Sequence, residues 1–207
     1  MWRHISPAFK MMIVMTVLTG LIYPGVVTGL CQIFFHHQAN GSMVRAEGRL
    51  AGQLSKVSQA GPTGFLGSSL IGQSFSRPEY FHPRPSAAGN GYDPMASGGS
   101  NLGPTSQALY DRVKAAVAKF HQENPAYQGP VPADIVTASA SGLDPDISPA
   151  AAYAQAQRVA SARGVTAEHV RRLIREYTER RQLGFLGERR VNVLEINLAL
   201  DRQFPRK

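Results

Sequence analysis

The residues of this 207-residue chain that could do chemistry are few, and they are spread along its length. Six histidines show no metal-ligand spacing with cysteine or carboxylate, and no H-E-x-x-H motif is present. Cys31 is the single cysteine, so no disulfide can form within the chain. The histidines are His4, His36, His37, His82, His121 and His169. These types and spacings predict neither a metal centre nor catalytic residues.

Two further stretches could hold an ion. The stretch Ser97-Gly98-Gly99-Ser100-Asn101 could offer backbone N–H groups to an anion, but it lacks the G-K-[ST] ending of a phosphate-binding loop. We therefore favour a tight turn there over an anion site. Asp144 and Asp146 could bind a cation only with more oxygen ligands than their neighbours supply. We expect no bound cofactor and no enzymatic activity of the chain on its own.

The net charge of +8 and the isoelectric point near 10 raise the question of nucleic-acid binding. The positive charge lies late in the chain, where arginines alternate with acids at i,i+4 spacing: Glu168 with Arg172, Arg172 with Glu176, and Glu176 with Arg180. Such pairs are typical of a solvated helix face. We therefore expect no nucleic acid as partner, and an acidic partner or a membrane surface fits the charge better.

Residues 11–35 form an uncharged stretch of 25 residues, bounded by Lys10 and by two histidines. A helix of this length is about 37 Å long, which crosses a hydrocarbon core of about 30 Å with some tilt. The stretch is too long for the apolar part of a cleaved signal peptide. Leu30 stands before Cys31, where a lipoprotein acceptor needs a small residue. We predict a tail at 1–10 and a transmembrane helix at 11–35, in contact with membrane lipid.

Residues in and beside this helix predict its orientation and a neighbour. Arg3 and Lys10 precede it without any acid, which favours a cytoplasmic amino terminus and places the rest of the chain outside. Gly25 and Gly29 have the G-x-x-x-G spacing that lets a second helix approach closely in lipid. Glycine is also commoner in membrane helices than in soluble ones, so chance remains the alternative. Pro24 would remove one backbone hydrogen bond and kink the helix.

The rest of the chain divides by composition. Residues 36–60 are polar and small, and we predict a membrane-proximal connector that is helical near Arg49. Residues 61–207 have the length of one domain, which we expect to be extracytoplasmic. The part from 61 to 104 is dense in glycine and proline, with short apolar runs compatible with strands or extended segments. Its aromatic residues argue against disorder and for a functional loop.

Helix and strand signals follow this loop. We predict three helices, one after Thr105, one from the N-cap Ser148 to Arg163, and one capped by Thr166. The β-branched run 135–137 predicts a strand. The apolar alternation over 194–200 predicts a half-buried strand, with a helix as the alternative. Helices mixed with strands in no strict βαβ order predict an α+β fold, a mixed α/β domain behind one amino-terminal transmembrane helix.

The order of several motifs resembles one family, the C subunit of the Kdp potassium-transporting ATPase. The resemblance covers essentially the whole chain. The motifs are, in chain order, Gly67-Ser68-Ser69-Leu70-Ile71-Gly72-Gln73, Tyr80-Phe81, Arg84-Pro85-Ser86-Ala87, Ser97-Gly98-Gly99-Ser100-Asn101-Leu102-Gly103-Pro104, Ala133-Asp134-Ile135-Val136-Thr137-Ala138-Ser139, Ser141-Gly142-Leu143-Asp144-Pro145, Gln157-Arg158-Val159-Ala160, Arg163, Val191-Asn192-Val193-Leu194 and Asn197. One departure is Asp146, where the family usually has histidine after Asp-Pro; a role that requires an imidazole there is in doubt.

The resemblance implies a non-catalytic subunit of an ATP-driven potassium importer in the bacterial inner membrane. It implies three partners: a potassium-selecting A subunit, an ATP-hydrolysing B subunit and a small F subunit. The complex handles ATP and potassium, and the family's C subunit is described as a catalytic chaperone that raises the ATP affinity of the B subunit. Gln157 is the nearest candidate for contact with ATP. The candidates for partner contact are Gly25, Gly29, Ser97, Gly98, Gly99, Ser100 and Asn101.

The predicted topology favours assembly over ATP binding as the role of this chain. With the amino terminus in the cytoplasm, residues 61–207 lie outside and cannot reach cytoplasmic ATP. We therefore expect a cap near the potassium entrance. The alternative is a membrane-anchored extracytoplasmic solute-binding or enzymatic domain, which a convergent acid-base set or a metal cluster would support.

We predict that a reporter fused after Lys207, active only in the cytoplasm, stays dark in cells. The physical reason is the charge difference between the flanks of the single span. Reporter activity in intact cells measures it, with the same reporter fused to a cytoplasmic protein as control. A bright fusion would contradict the orientation and make ATP accessible to the domain.

Overall fold

The computed structural model describes residues 2–45 and 65–205. The helix expected near Arg49 lies outside the described residues. The chain forms two compact units, Met1–Met43 and Val44–Lys207.

The first unit is helical from Trp2 to Phe34. It consists of α1 (Trp2–Val17), a π-helical turn (Leu18–Ile22) and α2 (Tyr23–Phe34), and a short α3 (His36–Ala39) follows. Within it, His4–Phe34 is long and apolar enough to cross a membrane, with a mean hydropathy of 1.8. The predicted amino-terminal candidate for a membrane helix is therefore confirmed. The helix also continues through residues 2–10, ahead of the uncharged stretch.

The π-helical turn explains how the helix accommodates Pro24. A proline inside a helix lacks its N–H, and its ring meets the carbonyl four residues earlier. Here the turn before it is wider, because the Tyr23 N–H donates to the Leu18 carbonyl, five residues back. The Thr19 hydroxyl donates to the Met15 carbonyl at 2.7 Å. The disturbance expected at Pro24 is thus found in the turn before it.

The second unit mixes helices and short strands. Two strands pair, β1 (Met43–Arg45) and β2 (Phe65–Ser68). A separate antiparallel sheet has β5 (Arg190–Asn192) in the middle, with β3 (Asp146–Ile147) on one side and β4 (Thr178–Glu179) on the other. Asp146 lies opposite Asn192 in that sheet, and Thr178 lies opposite Val191. The predicted mixture of helix and sheet is confirmed for the described residues. The remaining elements are a 3₁₀ turn (Pro94–Ala96), α4 (Gln107–Glu123), α5 (Ala133–Val136), α6 (Pro149–Arg163), α7 (Ala167–Glu176) and α8 (Val193–Gln203).

The three predicted helices are present, and their ends follow local chemistry. Ser148 caps α6 by accepting the Ala151 N–H, and Gly164 ends it in the left-handed region at φ 65°. Thr166 caps α7 by accepting the His169 N–H. The signals that located these helices act within one turn of the chain, which is why the sequence alone was enough.

The strand predicted over 135–137 is wrong, because residues 133–136 form the short helix α5. Asp134 lies in its first turn, and its carboxylate accepts the Ser148 N–H at 2.6 Å and the Ser148 hydroxyl at 3.1 Å. The Thr137 hydroxyl donates to the Ala133 carbonyl at 2.7 Å. These side-chain hydrogen bonds outweigh the β propensity of two branched residues.

The strand predicted over 194–200 is also wrong, because these residues lie in α8. Asn192 caps this helix by accepting the Glu195 N–H at 3.1 Å. The helix is buried on nearly all sides: every residue from 193 to 201 except Glu195 is buried. A helix without a solvent face loses its 3.6-residue apolar period, so the alternation of apolar residues carried no information on the type of element.

The core of the second unit lies between α6, α7, α8 and β5. Val159, Leu173 and Ile196 are among its fully buried side chains. Helix α6 meets this core with alanines, which let neighbouring backbones lie close. Phe81 is also fully buried in this cluster, although it belongs to no helix or strand.

The segment around Phe81 belongs to no helix or strand, and it follows a turn in which the Tyr80 N–H donates to the Arg77 carbonyl at 3.1 Å. Side-chain amides take the place of a neighbouring strand. Asn197 accepts the Phe81 N–H at 2.8 Å and donates to the Phe81 carbonyl at 3.0 Å. Gln155 does the same for His82, at 2.8 and 3.2 Å. Of the two forms expected for the run at 80–85, the strand is not formed.

Two arginines complete the hydrogen bonds of this segment. Arg158 donates to the carbonyls of Pro78 at 2.6 Å and Tyr80 at 3.0 Å. Arg163 donates to the Glu79 carbonyl at 2.8 Å and pairs with Asp201, also at 2.8 Å, in a nearly fully buried ion pair. Its guanidinium stacks 5.0 Å from the centre of the Tyr80 ring, and the Tyr80 hydroxyl donates to Asp201 at 2.8 Å. We call residues 78–82 with these side chains the amide clamp.

We expect Gln155→Ala to lower the free energy of unfolding by about 2 to 4 kcal/mol, because it leaves two half-buried backbone groups of His82 without their partner, each costing about 1–3 kcal/mol. Gln157→Ala is the matched control, since Gln157 lies on the exposed side of the same helix; it should change stability by less than about 0.5 kcal/mol. Urea unfolding of the purified chain in detergent measures both. Equal losses would show that the clamp does not depend on Gln155.

Candidate functional site

The Gly-rich stretch at 97–101 lies against the turn at 139–142. The Gly98 N–H donates to the Ser141 carbonyl at 2.9 Å, and the Ser97 hydroxyl donates to the same oxygen at 3.0 Å. A nest for an anion would need that N–H free, so this contact argues against an anion site. The tight turn predicted for 97–101 is wrong as well, because these residues form no turn and are held by the segment at 139–142 instead. Ser97 and Asn101 are exposed to solvent, and Ser100 is half-buried.

Gly99 permits the closest approach in this stretch. A Cβ at this position would lie 2.9 Å from the Ala140 carbonyl oxygen, whereas one on Gly98 would meet nothing within 4 Å. Neither glycine has a positive φ; Asn101 does, at 49°. A side chain at position 99 would therefore push the stretch away from the turn at 139–142.

Ser86 fixes the loop that faces this turn. Its hydroxyl donates to the Gly142 carbonyl at 2.7 Å and accepts the Tyr92 N–H at 2.8 Å. The Tyr92 hydroxyl donates to the Arg84 carbonyl, and burial raises the pKa of Tyr92 to about 12. The Tyr92 hydroxyl therefore keeps its proton at neutral pH. Three of the sequence motifs, at 84–87, 97–104 and 141–145, meet in this region, which we call the loop face.

The two aspartates beside the loop face are held by arginines. Asp144 pairs with Arg84 at 2.7 Å, and its other oxygen accepts the Asp146 N–H at 3.0 Å. Asp146 pairs with Arg190 at 3.1 Å and accepts from the Asn192 amide at 3.2 Å. Among the described residues, no group of three or more histidine, cysteine or acidic side chains is arranged to hold a metal.

Gln157 lies apart from the loop face, exposed on α6. It lines a cavity of about 420 Å³ together with Tyr127 and Arg158. Burial lowers the pKa of Arg158 to about 10, so the guanidinium still carries its charge at neutral pH. That guanidinium is already engaged, since it also donates to Asn124 at 3.0 Å and to Gln155 at 2.7 Å. The cation nearest to Gln157 in this cavity therefore has structural partners.

His82 is a residue that the sequence analysis passed over. Its Nδ1 lies 3.2 Å from Glu123, and its Nε2 lies 3.1 Å from the Arg77 carbonyl. Burial, with the charge of Arg158 beside it, lowers the pKa of His82. It lines a second cavity of about 340 Å³ with Glu123 and Gln155. The signal that could have found it is its place between two of the motifs, directly after Tyr80 and Phe81.

Comparison with known families tests the resemblance directly. A family model described as KdpC, the K⁺-transporting ATPase c chain, matches residues 5–202.

The chain belongs to the KdpC family.

Curated members of this family are about half identical to the chain. A potassium-transporting ATPase KdpC subunit from Rhodospirillum rubrum is 51% identical over 99% of the chain and 98% of its own length. One from Myxococcus xanthus is 54% identical over 99% of the chain and 90% of its own length. One from Mycobacterium tuberculosis is 50% identical over 98% of the chain and the whole of its own length. The resemblance stated from the motifs is confirmed.

Asp146 stands where members of the KdpC family usually have histidine. The structure shows what its carboxylate contacts. It joins strand β3 to Arg190 of β5, and the same guanidinium reaches Glu179 of β4 at 2.7 Å. One arginine thus links all three strands of the sheet. A protonated histidine at position 146 would repel this guanidinium rather than pair with it.

The pH dependence of stability should report on Asp146. Burial raises its pKa from the ordinary 3.8 to about 6, with Arg190 acting in the opposite direction. The folded state then holds this proton more tightly, so the stability it gives is full below about pH 4 and is lost as the pH rises through 6. Between pH 4 and 7 the native chain should lose about 1 to 3 kcal/mol more than Asp146→Asn.

Denaturant unfolding at a series of pH values in that range measures this difference. Asp146→Asn removes only this carboxyl, so every other titrating group contributes equally to the stability curves of the two proteins. Parallel stability curves for the two proteins would contradict the raised pKa.

Proposed function

We propose that this chain is a non-catalytic accessory subunit that holds together the potassium-transporting ATPase of which it is the c chain. Its amino terminus lies in the cytoplasm, its helix spans the bacterial inner membrane, and its second unit lies outside as a cap near the potassium entrance. The flank charges support this placement, as does the one candidate span among residues 2–45 and 65–205. The partners are the potassium-selecting A subunit, the ATP-hydrolysing B subunit and the small F subunit.

The proposal rests on the observation that internal contacts fix the conformation of the loop face. Ser86 and Tyr92 fix its fold from within, and the contact of Gly99 with Ala140 holds the Gly-rich stretch down. Ser97 and Asn101 remain exposed on it. A surface ordered before binding loses little conformational entropy when a partner docks, so an ordered loop without a reaction centre suits assembly.

The membrane helix supplies a second contact in this proposal. Apart from the backbone of its own helix turn and its two neighbours in sequence, a Cβ on Gly25 or on Gly29 would meet no atom of the described residues within 4 Å, so both backbones are open to a neighbour. In lipid, small residues at this spacing allow close van der Waals contact between helices. We assign this face to a helix of the A subunit. Retention of the A subunit on a tagged chain should fall in Gly25→Leu with Gly29→Leu.

An effect on ATP affinity would be indirect in this arrangement. Gln157 is the residue that a direct contact would use. It lines a cavity together with Arg158, whose guanidinium already donates to Asn124 and Gln155. A triphosphate needs several uncommitted cations or N–H groups. ATP and potassium are therefore handled by the complex, and this chain acts on the B subunit through the assembly.

We expect Gly99→Val to lower the amount of assembled complex severalfold. The added side chain overlaps the Ala140 carbonyl, and such overpacking costs about 1–3 kcal/mol. Gly98→Val is the matched control, because a Cβ on Gly98 has open space. The yield of A and B subunits on a tagged chain measures assembly, and ATP turnover per complex should stay near the parent value. Normal assembly with sharply reduced turnover would place the chain inside the transport cycle instead.

A further inference from the structure

The hairpin between β4 and β5 ends in an apolar tip. Gln182 and Leu186 face each other across it, and the Gln182 N–H donates to the Leu186 carbonyl at 2.9 Å. Two glycines in the left-handed region, Gly184 and Gly187, turn the backbone. We call residues 182–187 the hairpin tip.

Three large apolar side chains of the tip point into solvent. Leu183 is 83% exposed, Phe185 is 70% exposed and Leu186 is 47% exposed. Single exposed apolar residues are ordinary, but three on one six-residue tip form a patch that costs free energy in water. The described residues of the chain leave this patch uncovered.

Four arginines surround the base of the tip. Arg181 pairs with Glu188 at 2.9 Å, and Arg190 pairs with Glu179 and Asp146. No ion pair holds Arg180 or Arg189 within the described part of the chain. An open cavity of about 800 Å³ beside the hairpin is lined by Arg180, Arg181 and Arg189. The tip therefore carries a positive collar with two uncommitted guanidinium groups.

We propose that the hairpin tip inserts into the interface of a bilayer that contains anionic phospholipid. The apolar side chains enter the acyl boundary while the collar binds lipid phosphates, which guanidinium groups contact through paired N–H donors. The second unit begins at Val44, ten residues after the membrane helix ends at Phe34. The hairpin therefore belongs to a chain that also carries a candidate membrane helix.

The shape and charge of the tip favour lipid over a protein groove. Three exposed apolar side chains lie at the tip, and arginines precede and follow them along the chain, so its occupant must offer an apolar centre with negative charge around it. A bilayer interface offers this arrangement at every lateral position. A protein partner would need an apolar pocket with an acidic rim, and that occupant is an outcome of the test below.

The test uses the full chain in vesicles. In a Cys31→Ser background, Phe185→Cys is labelled with the fluorophore NBD, and Tyr110→Cys provides a matched exposed position on α4. The chains are inserted in vesicles of phosphatidylcholine alone or mixed equally with phosphatidylglycerol. Quenching by lipids with a nitroxide on the acyl chain then reports on the depth of each label. Both leaflets have one composition, so the orientation of the chain does not matter.

We expect strong quenching at position 185 in the mixed vesicles and little at position 110. Arg180→Gln with Arg189→Gln should reduce the partition of the tip into the mixed vesicles by roughly 10-fold, because each arginine near an anionic surface adds to the attraction. Neither change removes a described ion pair, so the fold is kept. High salt should act in the same direction as the double variant.

Three outcomes would overturn the proposal. Equal, weak quenching at positions 185 and 110 would show that the tip stays in water. Equal quenching with and without phosphatidylglycerol would remove the role of the collar. A label at 185 that is shielded only when the other ATPase subunits are present would assign the tip to a protein partner.

Discussion

The second unit depends on how the backbone of residues 78–82 satisfies its hydrogen bonds. This segment passes through the core without a neighbouring strand, and each buried peptide group left unpaired would cost about 1–3 kcal/mol. Two amides, Gln155 and Asn197, and two guanidinium groups, Arg158 and Arg163, take the place of the strand. These side chains come from α6 and α8, so the same contacts that satisfy the segment also set the distance between the two helices. The segment leads along the chain into the loop face, whose own fold Ser86 and Tyr92 fix.

Much of the fold could be predicted from local chemistry, and the errors share one cause. The caps Ser148 and Thr166 act on N–H groups three residues away, so they can be located in the sequence. Helix α8 was mistaken for a strand because burial on nearly all its sides removed the period that identifies a helix. Helix α5 was mistaken because the partner of Asp134, Ser148, lies 14 residues along the chain. The partners of the clamp are farther still, so no local pattern shows them.

The candidate site divides in the same way. The motifs identified the family, and they also marked stretches that meet at the loop face, but the sequence could not show which glycine of the pair 98–99 is the constrained one. That distinction needs the position of the Ala140 carbonyl. The apolar residues at 183–186 show a second limit of the sequence. Their composition is typical of a core segment, and only the hairpin geometry shows that they are exposed.

The amide clamp also has a consequence for the order in which the protein is made. Phe81 and Asn197 are 116 positions apart, and Tyr80 and Asp201 are 121 positions apart. Contacts between such distant residues form slowly, because a long loop must close first. During synthesis, the segment at 78–82 emerges well before α8 exists, with its apolar rings and peptide groups unprotected. The domain can complete its core only when its last helix arrives, so the nascent chain must stay free of aggregation until then.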